Sequence, residues 1–299
     1  MTLSGPCNSG SIYIQIFGNV IAPEMSSWNH DDDRSWLVFD SIDGLTIQGS
    51  GQIDAFVANN CNHLKITGVY FVNAPMFHIV INGCERVAIS NIHITAPEER
   101  INTDGIHIGN SINVYSDHSI IGTGDDCVSV WDNSSYVFIS NITCGPGDGI
   151  SLGADKSSAA VEMIRVSSCN FINTMNGARI KTWQGGSGYA RDIKFENIYF
   201  DSVDNPIVID QYYCNGDHNC GTHKSAVKVS DVTFKGLRGT STKEVVINLA
   251  CSETVSCTDI TLENIQVKHV KREKDTISYC INAHGISQGP VSPPVPCLS

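Results

Sequence analysis

The 299-residue chain has few charged side chains, and the basic ones are the scarcest. Asp, Glu, Lys and Arg make up 17% of the sequence, and 19 Lys and Arg against 31 Asp and Glu give a formal net charge of −12. A nucleic-acid-binding protein needs a basic face, so this balance argues against that class. Ten histidines would bring the charge from −12 to about −2 if all were protonated in an acidic compartment.

Long apolar runs are also missing. No stretch approaches the ~18 apolar residues that a membrane span needs, so we expect no membrane partner. We expect no secretory signal in this sequence, because Met1 leads directly into the alternating segment 11–16 without a basic and then an apolar region. We interpret the start of the chain as truncated or misassigned.

Cysteine is abundant, but the C-x-x-C spacing typical of a zinc ribbon does not occur. Eight of the twelve cysteines cluster as four local pairs, namely Cys127 with Cys144, Cys214 with Cys220, Cys251 with Cys257, and Cys280 with Cys297. Such short loops favour an oxidising compartment, and therefore a secreted protein. Cys7 is left over, and Cys61, Cys84 and Cys169 are most simply interpreted as buried small apolar residues.

One short unit recurs along the chain: two alternating apolar runs hinged at a polar pair. Its clear copies are residues 64–71, 87–94, 137–143, 193–200, 227–234 and 260–267. The bend position falls at residues 68, 91, 141, 197, 231 and 264, with weaker copies near 118 and 168. Repeats of 20 to 50 residues indicate a solenoid or a similar array. A recurring Asn or Asp at the bend would tolerate unusual backbone angles and bond to its neighbours in adjacent coils.

The repeat predicts an all-β parallel β-helix, since each unit is strand, bend, strand and helical periodicity is missing. A propeller needs about four strands per ~40–45-residue blade, too many for these repeats. We expect a single domain over residues 1–299, because the one linker-like stretch is the proline-rich tail from about residue 289. A solenoid also needs capped ends, and we expect the N-terminal cap to be missing from this sequence.

Acidic and basic residues recur at the period of these coils. They lie in four segments: Asn102-Thr103-Asp104, Gly124-Asp125-Asp126, Gly147-Asp148-Gly149 and Arg179-Ile180-Lys181. Asp104 and Asp125 are 21 residues apart, and Asp126 and Asp148 are 22 apart. Stacked coils repeat at ~4.8 Å, so we expect these side chains to line one groove.

Three close carboxylates suit glycoside hydrolysis. One is kept protonated by its like-charged neighbours and donates to the leaving oxygen, while the others hold a water. We expect Gly105 and Gly124 to let the backbone bend so that adjacent carboxylates share a face. Arg179 and Lys181, two residues apart on a strand, would point the same way and grip a sugar that carries a carboxylate.

The four segments, in this order and spacing, resemble the four motifs of plant polygalacturonases. The resemblance extends to residues 210–214 and to the Cys251 and Cys257 pair, and thus covers nearly the whole chain. It implies a right-handed parallel β-helix that hydrolyses α-1,4-linked galacturonan with inversion and needs no metal or other cofactor. It further implies a cell-wall location, and we expect a monomer.

The resemblance also implies roles for individual residues. Asp125 would be the general acid, and Asp104 and Asp126 would activate water. The implied substrate-binding residues are Asn102, Arg179, Lys181 and Tyr213. Cys127 would pair with Cys144. Tyr213 could instead simply stack on the coil wall.

Asp148 is the main departure, because the third motif of the family has His between its two glycines. We include Asp148 among the catalytic residues, although a turn role between two glycines is equally open. A fourth carboxylate would disturb the pKa of the acid and repel a polyanionic substrate. A loss of activity of ~10²–10⁴-fold would be ordinary where a residue that assists acid–base catalysis is replaced. The N-terminal region is also shortened relative to the family.

These departures leave alternatives open. The first is a catalytically impaired pseudoenzyme that binds galacturonan without efficient turnover. A calcium-dependent lyase could use three close carboxylates on a similar fold. A purely structural β-helix is the third, and the clustered acidic and basic residues argue against it.

Overall fold

The computed structural model describes residues 1–23, 36–154, 159–214, 221, 223–224 and 226–298. Over these residues the chain is a right-handed parallel β-helix, with 29 strands and no helix. The predicted fold class is therefore confirmed. None of the described residues belongs to a helix long and apolar enough to cross a membrane.

The strands are short in the early coils and longer in the later ones. The first fourteen are β1 (Thr2–Ser4), β2 (Ile12–Ile16), β3 (Asn19–Val20), β4 (Val38–Asp40), β5 (Leu45–Gly49), β6 (Gln52–Ile53), β7 (Phe56–Asn59), β8 (Asn62–Thr67), β9 (Tyr70–Val72), β10 (Ile79–Asn82), β11 (Glu85–Ser90), β12 (His93–Thr95), β13 (Ile106–Gly109) and β14 (Ile112–Gly122). The others are β15 (Val128–Val130), β16 (Ser134–Cys144), β17 (Ile150–Ala154), β18 (Ala159–Ser167), β19 (Asn170–Ile172), β20 (Asn176–Trp183), β21 (Gly188–Glu196), β22 (Tyr199–Val203), β23 (Asn205–Tyr213), β24 (Lys228–Lys235), β25 (Arg238–Ser241), β26 (Val245–Ala250), β27 (Cys257–His269), β28 (Ile277–Ile281) and β29 (Ala283–Ser292).

Each coil contributes to two sheets, and all pairings between these strands are parallel. The first sheet holds eleven strands in the order β1-β4-β7-β10-β13-β15-β17-β20-β23-β26-β28. The second sheet holds eighteen strands and consists of two adjoining stacks, bridged by long strands such as β14 and β16 that belong to both. The first sheet carries the candidate site described below.

Alternating side chains build the core, as the period of two requires. In β8 and β11 the same alternation of buried and exposed residues repeats one coil later. Because the coils are stacked in register, like residues lie on like residues. Phe195 stacks on Phe234 with ring centroids 5.3 Å apart, and Phe171 lies 5.7 Å from Phe200. The interior is therefore a set of continuous apolar columns.

The predicted bends are bends in the structure. All eight bend positions have positive φ: Gly68, Asn91, His118, Asn141, Ser168, Asn197, Asp231 and Asn264. Side-chain hydrogen bonds between coils occur at a different turn, where Asn82, Asn110 and Asn133 each donate to the asparagine of the preceding coil at 2.8–3.3 Å. The bend residues thus serve the backbone angle, and the asparagine ladder follows the end of the first sheet.

The proline-rich tail differs from its expectation as a linker. Residues 289–292 belong to β29, which pairs with β27, and Val295 and Leu298 are buried against the core. Pro290 fits there because β29 pairs with one neighbour among the described strands, and an edge strand tolerates a missing N–H. The tail covers the last coil.

Candidate active site

The register of the first sheet aligns three aspartates. Asp104, Asp126 and Asp148 each lie two residues before a strand, respectively β13, β15 and β17, and the first residues of these strands pair with one another. Counting back two residues from that pairing places the three aspartates in one column. Sequence spacing linked Asp104 to Asp125 at 21 residues, whereas the aligned column has a spacing of 22 and leaves Asp125 on the loop.

Asp125 projects from the loop before β15, and neighbouring backbone holds it in place. Its carboxylate accepts hydrogen bonds from the backbone N–H of Asp126 at 2.8 Å and of Asn102 at 3.1 Å. The loop itself is fixed by Thr103, whose hydroxyl accepts from the N–H of Gly124 at 2.9 Å. Asn102 therefore contacts Asp125 through its backbone, and its exposed side chain lines the groove.

Gly105 and Gly124 act differently from the expected bending role, because neither has a positive φ. A Cβ on Gly124 would lie 2.0 Å from the carbonyl oxygen of Arg100, and one on Gly105 would lie 2.5 Å from that of Cys127. These glycines permit close packing of backbone on backbone. Gly149 supplies the unusual angle, with φ +86°.

Asp126 is fully buried and is surrounded by positive charge. One carboxylate oxygen accepts from Arg179 Nη2 at 2.8 Å and from the Ser151 hydroxyl at 2.5 Å, and the other accepts from Lys181 Nζ at 2.8 Å. Burial alone would raise the pKa of Asp126, but Lys181 and Arg179 outweigh it and hold the pKa below its usual value. Asp126 is therefore ionised.

Asp104 is buried beside a hydroxyl and an imidazole. Ser129 donates to Asp104 Oδ2 at 2.6 Å, and His107 Nδ1 lies 2.8 Å from the Ser129 hydroxyl and 3.7 Å from the same carboxylate oxygen. The other oxygen of Asp104 accepts no hydrogen bond from the residues that the structure describes. That oxygen is placed to accept one from a water or a substrate.

The carboxyl of Asp125 has a strongly raised pKa. Burial, followed by the charges of Asp104, Asp126 and Asp148, raises its pKa to about 7. Burial also raises the pKa of Asp148, and Arg179, 3.8 Å away, acts in the opposite direction. The environment thus separates a protonated Asp125 from an ionised Asp126, the pattern of an acid beside a charged partner.

The site opens into a groove of about 800 Å³. The four aspartates described above line it, together with Asp132, Arg179, Lys181 and Tyr213. Lys181 Nζ lies 5.1 Å from the ring centre of Tyr213 and 5.5 Å from that of Trp131, and both contacts are of the cation–π type. The structure thereby brings every predicted catalytic and substrate-binding residue into one groove.

Sequence reasoning missed Ser129, Ser151 and Trp131, and it did not include His107 among the predicted site residues. A signal for three of them exists, because each member of the aspartate column is followed three residues later by an outward polar residue. The pairs are Asp104 with His107, Asp126 with Ser129, and Asp148 with Ser151. Each serine hydroxyl donates to the aspartate of the preceding coil.

Oxygen atoms of Asp125, Asp126 and Asp148 lie within 4.8 Å of one another, so the donor set could in principle hold a cation. Both oxygens of Asp126, however, are already bound by Arg179 and Lys181. Arg179 and Lys181 thus occupy the oxygens of Asp126 that a metal ion would need.

The disulfides lie around this site and at the end of the solenoid. Cys127 follows Asp126 directly and is linked to Cys144 on β16, with Cα atoms 5.9 Å apart. Cys251 is linked to Cys257, and Cys280 to Cys297. Cys214 is disulfide-bonded, but its predicted partner Cys220 lies outside the described residues. Cys61, Cys84 and Cys169 are free and buried, as expected, whereas Cys7 is free and exposed.

The sequence of this chain is similar to those of known polygalacturonases. Residues 54–288 match the family described as glycosyl hydrolases family 28. A probable polygalacturonase of Arabidopsis thaliana is 41% identical over 320 residues, covering 100% of this chain and 70% of the relative. A polygalacturonase of Persea americana is 38% identical over 310 residues, covering 94% and 67%.

Solved structures with this fold include two that cover most of the chain. An endo-xylogalacturonan hydrolase from Aspergillus tubingensis superposes with a TM-score of 0.78 at 22% identity, covering 96% of this chain and 92% of that one. A polygalacturonase from Erwinia carotovora gives a TM-score of 0.75 at 19% identity, covering 94% and 86%. At these identities the likeness shows the fold.

Proposed function

The chain belongs to glycosyl hydrolase family 28 and is a glycosidase of the polygalacturonase type. From this premise we propose that it cleaves α-1,4-linked galacturonan, the backbone of pectin, with inversion of the anomeric configuration. The observation that carries the proposal is the groove in which Asp125, with its raised pKa, faces three other carboxylates and two cations. We further propose a secreted monomer that acts in the cell wall.

Asp125 is the general acid. A carboxyl with a pKa of about 7 keeps its proton in mildly acidic conditions and can pass it to the leaving glycosidic oxygen. The backbone N–H groups of Asn102 and Asp126 fix the direction of the carboxyl. When the proton leaves, the same donors stabilise the carboxylate that forms.

Asp104 and Asp126 position the attacking water. The oxygen of Asp104 without a hydrogen bond from the described residues can accept a proton from water, and Ser129 holds the other oxygen. Asp126 supplies fixed negative charge, and its contacts with Arg179, Lys181 and Ser151 engage both of its oxygens. Such an engaged carboxylate is a poor nucleophile, which favours direct attack by water over a covalent intermediate.

The separation of the carboxyl groups makes the stereochemistry worth testing. Inverting enzymes usually hold the two carboxyl groups ~6.5–9.5 Å apart, and retaining ones ~5–5.5 Å. Oxygens of Asp125 and Asp126 lie within 4.8 Å, which alone would favour retention. Asp104 is the better candidate for the residue that accepts the proton of the water, because one of its oxygens has no hydrogen bond from the described residues, whereas both oxygens of Asp126 are engaged.

Arg179 and Lys181 bind the carboxylate of a galacturonate residue. Each has more N–H donors than its contacts with Asp126 and Ser151 use, and both line the groove. Tyr213 and Trp131 flank Lys181 and give the sugar ring an apolar surface. The exposed side chain of Asn102 also lines the groove.

A second candidate function, binding of galacturonan with little turnover, is favoured by Asp148. This carboxylate adds negative charge beside Arg179, at 3.8 Å, in a groove that must accept a polyanion. It occupies the position where the resembling family has a histidine, which could carry a positive charge.

The decisive experiment measures reducing ends released from polygalacturonate by the native protein and by Asp125→Asn. We expect hydrolysis by the native protein, loss of ~10²–10⁴-fold in the variant, and inverted product anomers by NMR. Product with an unsaturated ring, abolished by a chelator, would establish a lyase instead. Binding of oligogalacturonates by both proteins without release of reducing ends would establish the binding function.

A further inference from the structure

The groove does not end at the aspartates but continues toward the N-terminal coils. A second cavity of about 370 Å³ adjoins the first, and Phe77, Asn82 and His107 line both. The continuation lies over β7 and β10, two to three coils before the strand that follows Asp125. At ~4.8 Å per coil, its centre is roughly 12 Å from the acid, within reach of a bound polysaccharide.

The chemical character of the wall changes along this axis. One outward row crosses six coils of the first sheet in register: Val57, Val80, His107, Ser129, Ser151 and Arg179. Along the groove the row is apolar at its N-terminal end, polar beside the aspartates and cationic at Arg179, and past the groove it continues with Val208. A polymer lying along the groove therefore meets a different surface at each end.

Among the described residues, the apolar end offers no charged side chain to pair with a carboxylate. Among the described residues that line it, none is Asp, Glu, Lys or Arg, and His107 is the single titratable side chain. The His107 ring lies flat on Phe77, with centroids 4.5 Å apart and planes 1° apart. Trp36, Met76 and Val80 add further apolar surface. Desolvating an ionised carboxylate here without a cation would be costly, whereas a neutral group is accepted.

We propose that this end is a subsite for a galacturonate residue whose carboxyl group is methyl-esterified. The inference rests on the proposed function, and it assigns the two ends of the groove to different residues of the same polymer. The cationic end, with Arg179 and Lys181, takes a free carboxylate. The apolar end takes the uncharged ester, whose methyl group lies against Met76 and Val80. Partially esterified pectin is then the substrate that fits the whole groove.

The test introduces a cation into the apolar end. Val80→Lys and its uncharged match Val80→Gln are compared with the native protein on unesterified polygalacturonate and on partially methyl-esterified pectin of equal length. We expect Val80→Lys to shift the ratio of kcat/KM toward the unesterified polymer by about fivefold, and Val80→Gln, which loses the apolar contact but adds no charge, to shift the ratio by a smaller factor. Met76→Lys and Met76→Gln repeat the comparison if either Val80 variant fails to fold.

Product mapping by mass spectrometry gives an independent readout. With the native protein, methyl esters should be enriched at a fixed distance on one side of the cleaved bond. Random ester positions, or equal shifts for the Lys and Gln variants, would overturn the subsite. Failure to cleave either polymer would instead refute the proposed function. In that case the affinities of unesterified and methyl-esterified oligosaccharides would test the subsite. Val80→Lys should then favour the unesterified oligosaccharide more strongly than Val80→Gln does.

Discussion

Asp148 is the residue at which the chemistry of this site is most open to test, because it adds a fourth carboxylate 3.8 Å from Arg179. We expect Asp148→His to raise kcat/KM on polygalacturonate at pH 5 by ~10²–10⁴-fold, since a cation replaces an anion beside the acid and the substrate. Asp148→Asn is the matched control, because it removes the negative charge without adding a positive one. Equal activity of all three proteins would show that position 148 takes no part in catalysis.

The raised pKa of Asp125 predicts a pH profile. A general acid must be protonated, so kcat/KM should be sustained below about pH 7 and should fall as the pH rises through that value. Asp148 contributes to the raised pKa, so Asp148→Asn should move this alkaline limb to lower pH. The measurement is kcat/KM across pH 4 to 9 for both proteins. An alkaline limb that stays in place in the variant would contradict the coupling.

Ser129 is a positioning residue, since it reaches the substrate through Asp104. Ser129→Ala removes a hydrogen bond of 2.6 Å from that buried carboxylate. The expected cost of about 1–3 kcal/mol corresponds to a decrease in rate of about 5- to 150-fold. We expect the loss in kcat with KM nearly unchanged, because Arg179 and Lys181 still hold the substrate. A loss confined to KM, or to thermal stability, would argue for a merely structural serine.

Most of the candidate site could be predicted from the residue types, but its register could not. The spacing of 21 residues suggested that Asp104 faces Asp125, whereas the paired strands align Asp104 with Asp126 and Asp148. One residue of error along a strand moves a side chain to the other face, so contacts such as Ser129 to Asp104 follow from the pairing and not from composition. Trp131 leaves no comparable signal in the sequence.

At the scale of the strand and bend, positive φ is the property that the repeat encodes. Asn91, with φ 53° and an exposed side chain, tests it without disturbing the core. Asn91→Ala should lower the free energy of unfolding by about 1 kcal/mol, because a Cβ-bearing residue without a polar side chain is disfavoured in the left-handed region. Asn91→Gly should cost less, and denaturant titration would measure both. Alanine more stable than glycine would contradict this role of the bend.

The disulfide at the catalytic loop is a second element whose effect can be measured. It links Cys127, next to Asp126, to Cys144 on β16, across a separation of 17 residues. Its removal in the double variant Cys127→Ala/Cys144→Ala should destabilise the protein by about 3 kcal/mol, as expected for a loop of this length. The measurement is the free energy of unfolding from denaturant titration. An unchanged value would mean that the surrounding coils already fix the loop.

Elements were predictable where they repeat and not where the repeat ends. Alternation and the bend positions indicated the coils because each copy obeys the same steric rule. The tail broke the pattern with prolines and suggested a linker, yet residues 289–292 form the last strand. Its place depends on the uncovered edge of β27 and on the link between Cys280 and Cys297, which are properties of the assembled solenoid.

For the whole molecule, the relevant quantity is the net charge against a polyanionic substrate. With its histidines neutral, the protein has a formal net charge of −12. Arg179 and Lys181 must therefore bind galacturonate against the field of a negatively charged protein. Histidines titrate near ~6.5, so lowering the pH to 5 removes most of the negative charge. Burial lowers the pKa of His78, so His78 contributes less to this change.

We therefore expect KM for polygalacturonate to fall between pH 7 and pH 5 at low ionic strength, as repulsion at long range declines. In ~0.5 M salt the Debye length is shorter than ~10 Å, so the same change of pH should have a smaller effect on KM. The direct contacts of Arg179 and Lys181 lie inside that length and are less affected by screening. If KM falls equally in high salt, its pH dependence arises from groups within the groove. The net charge of the protein would then have no part in binding.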